Sequence, residues 1–176
     1  FYRDPLFMAG GEELHMLNIE ITETKNFVKK LLMEPVFDTF LLVEAYVRSD
    51  VSYTIDGRLN PSFFDTEELE EMTSKTYTTW GAVRHHIFNV IKGNKLPLNF
   101  KIVLILSDAN INRIIEQNHL NLTTSDIANL SLNIYFDGEK ISLTTMASMN
   151  IFSMDKTLAN IWDANVSAFF KQNQIF

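Results

Sequence analysis

The sequence predicts an α+β fold, a single domain with a mixed or mainly antiparallel sheet of about five to seven strands and helices mostly on one face. Three observations carry this. Stretches that alternate apolar and polar residues come in adjacent pairs at 40–56 and 130–144, joined by turns too short for anything but hairpins. Stretches with apolar residues at three- and four-residue steps lie between and after them. The chain has 176 residues, 46% of them hydrophobic, with six glycines and four prolines. It is therefore long and apolar enough for one substantial core, with no linker to divide it.

The first fifteen residues, FYRDPLFMAGGEELH, mix charges and glycines without periodicity, so 1–15 reads as a flexible N-terminal extension and 16–176 as the domain. Leu17, Ile19 and Ile21 alternate with Asn18, Glu20 and Thr22 as a strand. Thr22 or Thr24 is placed to cap a helix that turns Phe27, Val28, Leu31 and Leu32 inward and stops at Glu34-Pro35. Phe40 to Val47 reads as a strand with Leu41, Val43, Ala45 and Val47 on one apolar side. Val51, Tyr53 and Ile55 mark its half-buried partner. Asp56-Gly57 is a second turn or a bulge. The carboxylates between Asp65 and Glu71 suit a short surface helix or loop and lack the spacing of a calcium loop.

Thr79 can cap the next helix, where Trp80, Val83, Ile87, Val90 and Ile91 face the core, His86 leans toward that stripe and Gly93 marks the stop. Phe100 to Leu106 is nearly all apolar, as expected of a mid-sheet strand buried on both faces. Asp108 can cap a shorter helix with Ile111, Ile114 and Ile115 inward, and Thr124 one more turn. Leu130, Leu132, Ile134 and Phe136 then pair with Ile141 and Leu143 around Asp137-Gly138. The last helix offers this hairpin a stripe running from Leu158 through Trp162 and Val166 to Phe170, with Asp163 placed to accept a hydrogen bond from a neighbour.

Cysteine is absent, which removes disulfides and thiolate chemistry and fits a cytoplasmic location. The longest apolar run, Ile102 to Leu106, falls far short of the roughly 20 residues that span a bilayer, so no membrane partner is expected. A glycine-rich phosphate loop, a nucleophile elbow, histidines paired three or four apart and a dinucleotide fingerprint are all missing. No catalytic residue, metal ligand or cofactor is therefore assigned, and the reading leans away from an enzyme.

Charge is distributed unevenly. The net charge is −7, yet 72–107 holds no Asp or Glu while carrying Lys75, Arg84, Lys92, Lys95 and Lys101. With Lys25, Lys29 and Lys30 on the first helix, this predicts a basic helix face made by Lys25, Lys29, Lys30, Arg84, Lys92 and Lys95. Such a face suits a binding or adaptor domain for an anionic partner, either nucleic acid or an acidic protein surface. Two alternatives stay open. One is a small enzyme with an anion-binding pocket near Arg84, His85 and His86, or at Asp56 and Arg58, which stand two apart on a strand as an ion pair would. The other is a homo-oligomeric scaffold, which requires an exposed Phe or Leu patch. The sequence sets no oligomeric state.

YTIDGRLN (53–60), PLNFKIVLILS (97–107), LNIYFDGEKISLTT (132–145) and the Trp162-Asp163 pair are together similar to an uncharacterised family of bacterial proteins from Clostridia-like Firmicutes, which carries only a domain-of-unknown-function label. The resemblance covers about Met16 to Phe170. It implies a cytoplasmic bacterial single-domain protein with no assigned activity, and it transfers no catalytic residue.

Overall fold

The computed structural model describes residues 17–72, 74 and 76–176, so the extension expected at 1–15 and Lys75 lie outside the described residues. Among the described residues six strands form one antiparallel sheet: β1 (Asn18–Ile21), β2 (Leu41–Arg48), β3 (Ser52–Asp56), β4 (Asn99–Ile105), β5 (Ile127–Phe136) and β6 (Ile141–Met149). Their order across the sheet is β1-β6-β5-β4-β2-β3. The helices are α1 (Thr24–Leu32), α2 (Thr66–Glu71), α3 (Trp80–Ile91), α4 (Asp108–Gln117) and α5 (Thr157–Gln172). This is the α+β domain that the periodicity predicts.

Register explains why the helices gather on one side. Residues paired across strands share a face, and three cross-strand rows are apolar almost throughout. They run Val47, Phe100, Phe136, Ile141; then Ala45, Ile102, Ile134, Leu143; then Leu42, Leu104, Leu132, Thr145. All twelve are buried. Phe27 of α1, Ile87 of α3, Ile111 of α4 and Trp162 of α5 belong to the same core. α2 buries nothing. The alternate row, Tyr46, Lys101, Tyr135 and Ser142, turns to the other face and is half-buried.

Several local expectations change for physical reasons. A bulge between Leu42 and Glu44 resets the alternation of β2, so Leu42 joins Ala45 and Val47 on the core side and Val43 is only half-buried. β3 is an edge strand, with Val51 exposed in the turn before it and Tyr53 exposed within it. β4 lies mid-sheet, but its Lys101 and Val103 are half-buried, so helices cover one of its faces. Three of the four caps fall one residue from where the sequence suggests. Glu23 precedes α1 without a side-chain bond, Ser107 caps α4 by accepting from the Asn110 N–H, and Thr123 with Asp126 forms the capping box before β5. Thr79 precedes α3 without capping it through its hydroxyl.

Two knots hold the layers together. In the Pro35–Phe37 turn, the Phe37 ring sits 5.8 Å from Phe27, 6.0 Å from Phe40, 5.4 Å from Phe169 and 6.4 Å from Phe170, joining α1, the start of β2 and α5. The second is polar. Buried Thr145 accepts the Leu17 N–H at 3.0 Å and donates to Asp163 Oδ1 at 2.5 Å, so one hydroxyl links the residue before β1 to β6 and α5. Thr145→Val keeps the shape and removes both bonds, one of them to a carboxylate. It is expected to cost about 2–3 kcal/mol in urea unfolding; a loss below about 0.5 kcal/mol would mean the hydroxyl is not a tie.

At the β5–β6 turn, Asp137 Oδ1 accepts the N–H groups of Lys140 and Glu139, both at 2.8 Å. These bonds, that from Lys140 foremost, hold the carboxyl below its ordinary value. Gly138 adopts φ +102°, and a Cβ there would stand 2.9 Å from the Leu98 carbonyl oxygen, which is why glycine occupies the turn.

Candidate anion-binding face

The end of α1 and the start of α3 meet through hydrogen bonds. Trp80 Nε1 donates to the Leu31 carbonyl at 2.8 Å, and Arg84 Nη1 donates to the Leu32 carbonyl at 3.1 Å. Both carbonyls belong to the last turn of α1, where no intrahelical donor remains for them. Arg84 also grips Asp38, Nε to Oδ1 at 2.7 Å and Nη2 to Oδ2 at 3.4 Å. Its guanidinium fork is therefore committed to joining α3, α1 and the turn before β2. Lys29 and Lys30 both reach Glu34, at 3.3 and 3.7 Å, and the Lys30 side chain is only 14% exposed.

Lys25, Lys92 and Lys95 are exposed. Lys92 follows α3 with its ammonium 5.9 Å from the centre of the Phe88 ring. It stands eight residues beyond Arg84, roughly 12 Å of helix rise. The structure thus gathers Lys29, Lys30 and Arg84 at the α1–α3 junction among Glu34 and Asp38, and sets Lys92 and Lys95 at the other end of α3.

Between them runs the outer side of α3. Trp80 and Ile87 are buried, Arg84 and Ile91 half-buried, and Ala82, His85, His86 and Asn89 are exposed. At about 100° per residue, His85, Asn89 and Lys92 form one ridge at i, i+4 and i+7. His86 does not lean into the core as expected. It lies about 100° around the helix from Ile87, on the solvent side, and its ring centre is 3.9 Å from that of His85, the two rings tilted by 40°. Nothing in the motif inventory singles out Asn89; its placement opposite Trp80 and Ile87 on a helix wheel does.

Asp56 and Arg58 do not form the expected ion pair. Asp56 Oδ1 instead accepts the backbone N–H of Arg58 at 2.9 Å, while the Arg58 guanidinium lies 6.0 Å from the centre of the Tyr77 ring. The strand ends at Asp56, so the two residues no longer alternate on one face. Both are exposed.

Concavities among the described residues lie elsewhere. A cleft of about 790 Å³ opens where β4 hands over to α4, and hydroxyl side chains such as Thr39, Thr76, Thr79 and Thr124 line it with Asp38 and Asp108. A groove of about 250 Å³ separates α4 from α5. Neither is lined by His85, His86, Asp56 or Arg58. Among the described residues no group of three His, Asp or Glu side chains is placed to hold a metal ion, and no helix is long and apolar enough to cross a membrane.

Exposed apolar residues fall into separate places. Leu96 and Leu98 precede β4 at one end of the sheet, Ile151, Phe152 and Met154 follow β6 at the other, and Phe63 stands in the Pro61–Phe63 turn.

No curated protein matches the chain, and no solved structure does. The model of a family of unknown function, DUF5721, matches residues 30–176, from the last turn of α1 through every later strand and helix, and the chain belongs to that family.

Proposed function

We propose that the chain is a non-enzymatic binding domain that engages the phosphates of a nucleic acid through the outer side of α3. The observation that carries this reading is a carboxylate-free ridge on a protein of net charge −7, in which His85 and Asn89 are exposed in line with Lys92 and His86 is exposed beside them. Lys92 and Lys95 supply charge, and the imidazoles and the carboxamide supply hydrogen-bond donors. From His85 to Lys92 the ridge rises about 10 Å, the length of roughly three phosphates along one strand. Lys25 adds a flanking charge. Arg84, Lys29 and Lys30 act mainly as structural ties, because each already holds a carboxylate.

Fluorescence anisotropy of labelled single- and double-stranded oligonucleotides across a salt series tests the reading. With two or three phosphates neutralised, log K is expected to fall with log salt at a slope near −2. The pair Lys92→Glu, Lys95→Glu abolishes binding, whereas Lys25→Glu, Lys29→Glu, Lys30→Glu together weaken it less. Flat titrations at low salt, where phosphate attraction is strongest, would overturn the nucleic-acid reading and turn the search to an acidic protein surface.

A further inference from the structure

We infer that the groove between α4 and α5 is a binding site for a small monocarboxylic acid with a short apolar body. Its floor is apolar and reaches the sheet, since Leu132, Trp162, Val166 and Phe169 line it. Leu132 and Trp162 are otherwise core residues, 0% and 3% exposed. Its polar lining is one-sided: Arg113 and the carboxamides of Asn110, Gln117 and Asn165, without a carboxylate.

Arg113 is the cation that this lining contributes, and among the described residues it has no ion-pair partner. Its one polar contact is a long bond from Nη1 to Asn110 Oδ1 at 3.4 Å. Glu116, the nearest acid along α4, accepts from Asn112 instead. A guanidinium beside an apolar floor, fringed by amide donors, complements a carboxylate whose apolar tail enters the groove.

Size narrows the class. A groove of about 250 Å³ suits a six-carbon acid or a small aromatic acid. The site is separate from the α3 ridge, so it stands or falls independently of the nucleic-acid reading.

The chain has two tryptophans, and they sit in different places: the Trp162 indole lines the groove, while the Trp80 indole is fully buried against α1. Hexanoate, with hexanol as its neutral analogue, is titrated into the ¹⁵N-labelled full chain while the two indole N–H signals are followed, Trp162→Phe assigning them. Hexanoate should shift the Trp162 signal saturably and leave that of Trp80 in place. Arg113→Gln, a change at an exposed position, should weaken hexanoate about tenfold, the worth of one charged hydrogen bond, and leave hexanol unchanged. Unmoved signals, both indoles shifting together, or hexanol binding the wild-type chain as tightly as hexanoate would each overturn the assignment. So would broadening of the Trp162 signal with protein concentration alone, which would give the groove to a second copy of the chain.

Discussion

Gly57→Ala should be among the most damaging single-methyl changes this chain can suffer, at roughly 3–5 kcal/mol in urea unfolding. A Cβ on Gly57 would stand 1.8 Å from the Leu42 carbonyl oxygen and 2.6 Å from its carbon, both backbone atoms that no rotamer change can move. The close approach follows from the bulge. Between Leu42 and Glu44 the β2–β4 register skips Val43, whose carbonyl accepts the Gly57 N–H at 2.9 Å instead. The Gly57 carbonyl in turn receives the Thr78 N–H at 2.8 Å, which leads the chain into α3. An added methyl must therefore push apart the bulge that brings Leu42 into the core and the segment that positions α3. A loss below about 1 kcal/mol would show that this region yields easily.

Phe37→Ala is expected to cost at least about 4 kcal/mol, combining a cavity in a closed core with the loss of ring contacts to four neighbours. Phe37 is 0% exposed in a three-residue turn, so its surroundings are tied to α1, β2 and α5 and cannot readily collapse into the space. Phe37→Leu separates volume from ring geometry. It should recover most of the loss and leave a deficit of about 1–2 kcal/mol from edge-to-face contacts. Equal losses in the two variants would assign the whole effect to the rings.

The sequence reveals most of the fold because most of it is written in periodicity. The hairpin around Asp137-Gly138, the stripe of α5 and the apolar run of β4 can all be read from spacing; β4 and α5 lie within one or two residues of their predicted places, while the hairpin strands extend beyond the predicted 130–144 to Ile127 and Met149. Bulges cannot be read this way, since one skipped residue leaves composition unchanged while sending Leu42 inward. Edge position is equally silent. Val51, Tyr53 and Ile55 alternate as a half-buried strand would, yet the helices do not cover β3 and Tyr53 stays exposed.

The candidate site divides along the same line. Local charge excess in 72–107 is a property of the sequence, and it leads to α3. Which cations are engaged depends on residues far apart in the chain: Asp38 stands 46 positions from Arg84 and takes up its guanidinium. Glu34 draws on both Lys29 and Lys30, although a charge count treats them as available. The α4–α5 groove was beyond reach, because Arg113 and Asn165 become neighbours only when the two helices pack beside each other.

Mapping of backbone and side-chain NMR shifts during titration with a single-stranded oligonucleotide tests the central claim most directly. The prediction is a contiguous set of changes at Ala82, His85, His86, Asn89, Lys92 and Lys95 that collapses as salt is raised. Changes confined to the uncovered sheet face around Tyr46, Lys101 and Tyr135, with the α3 signals unmoved, would contradict it.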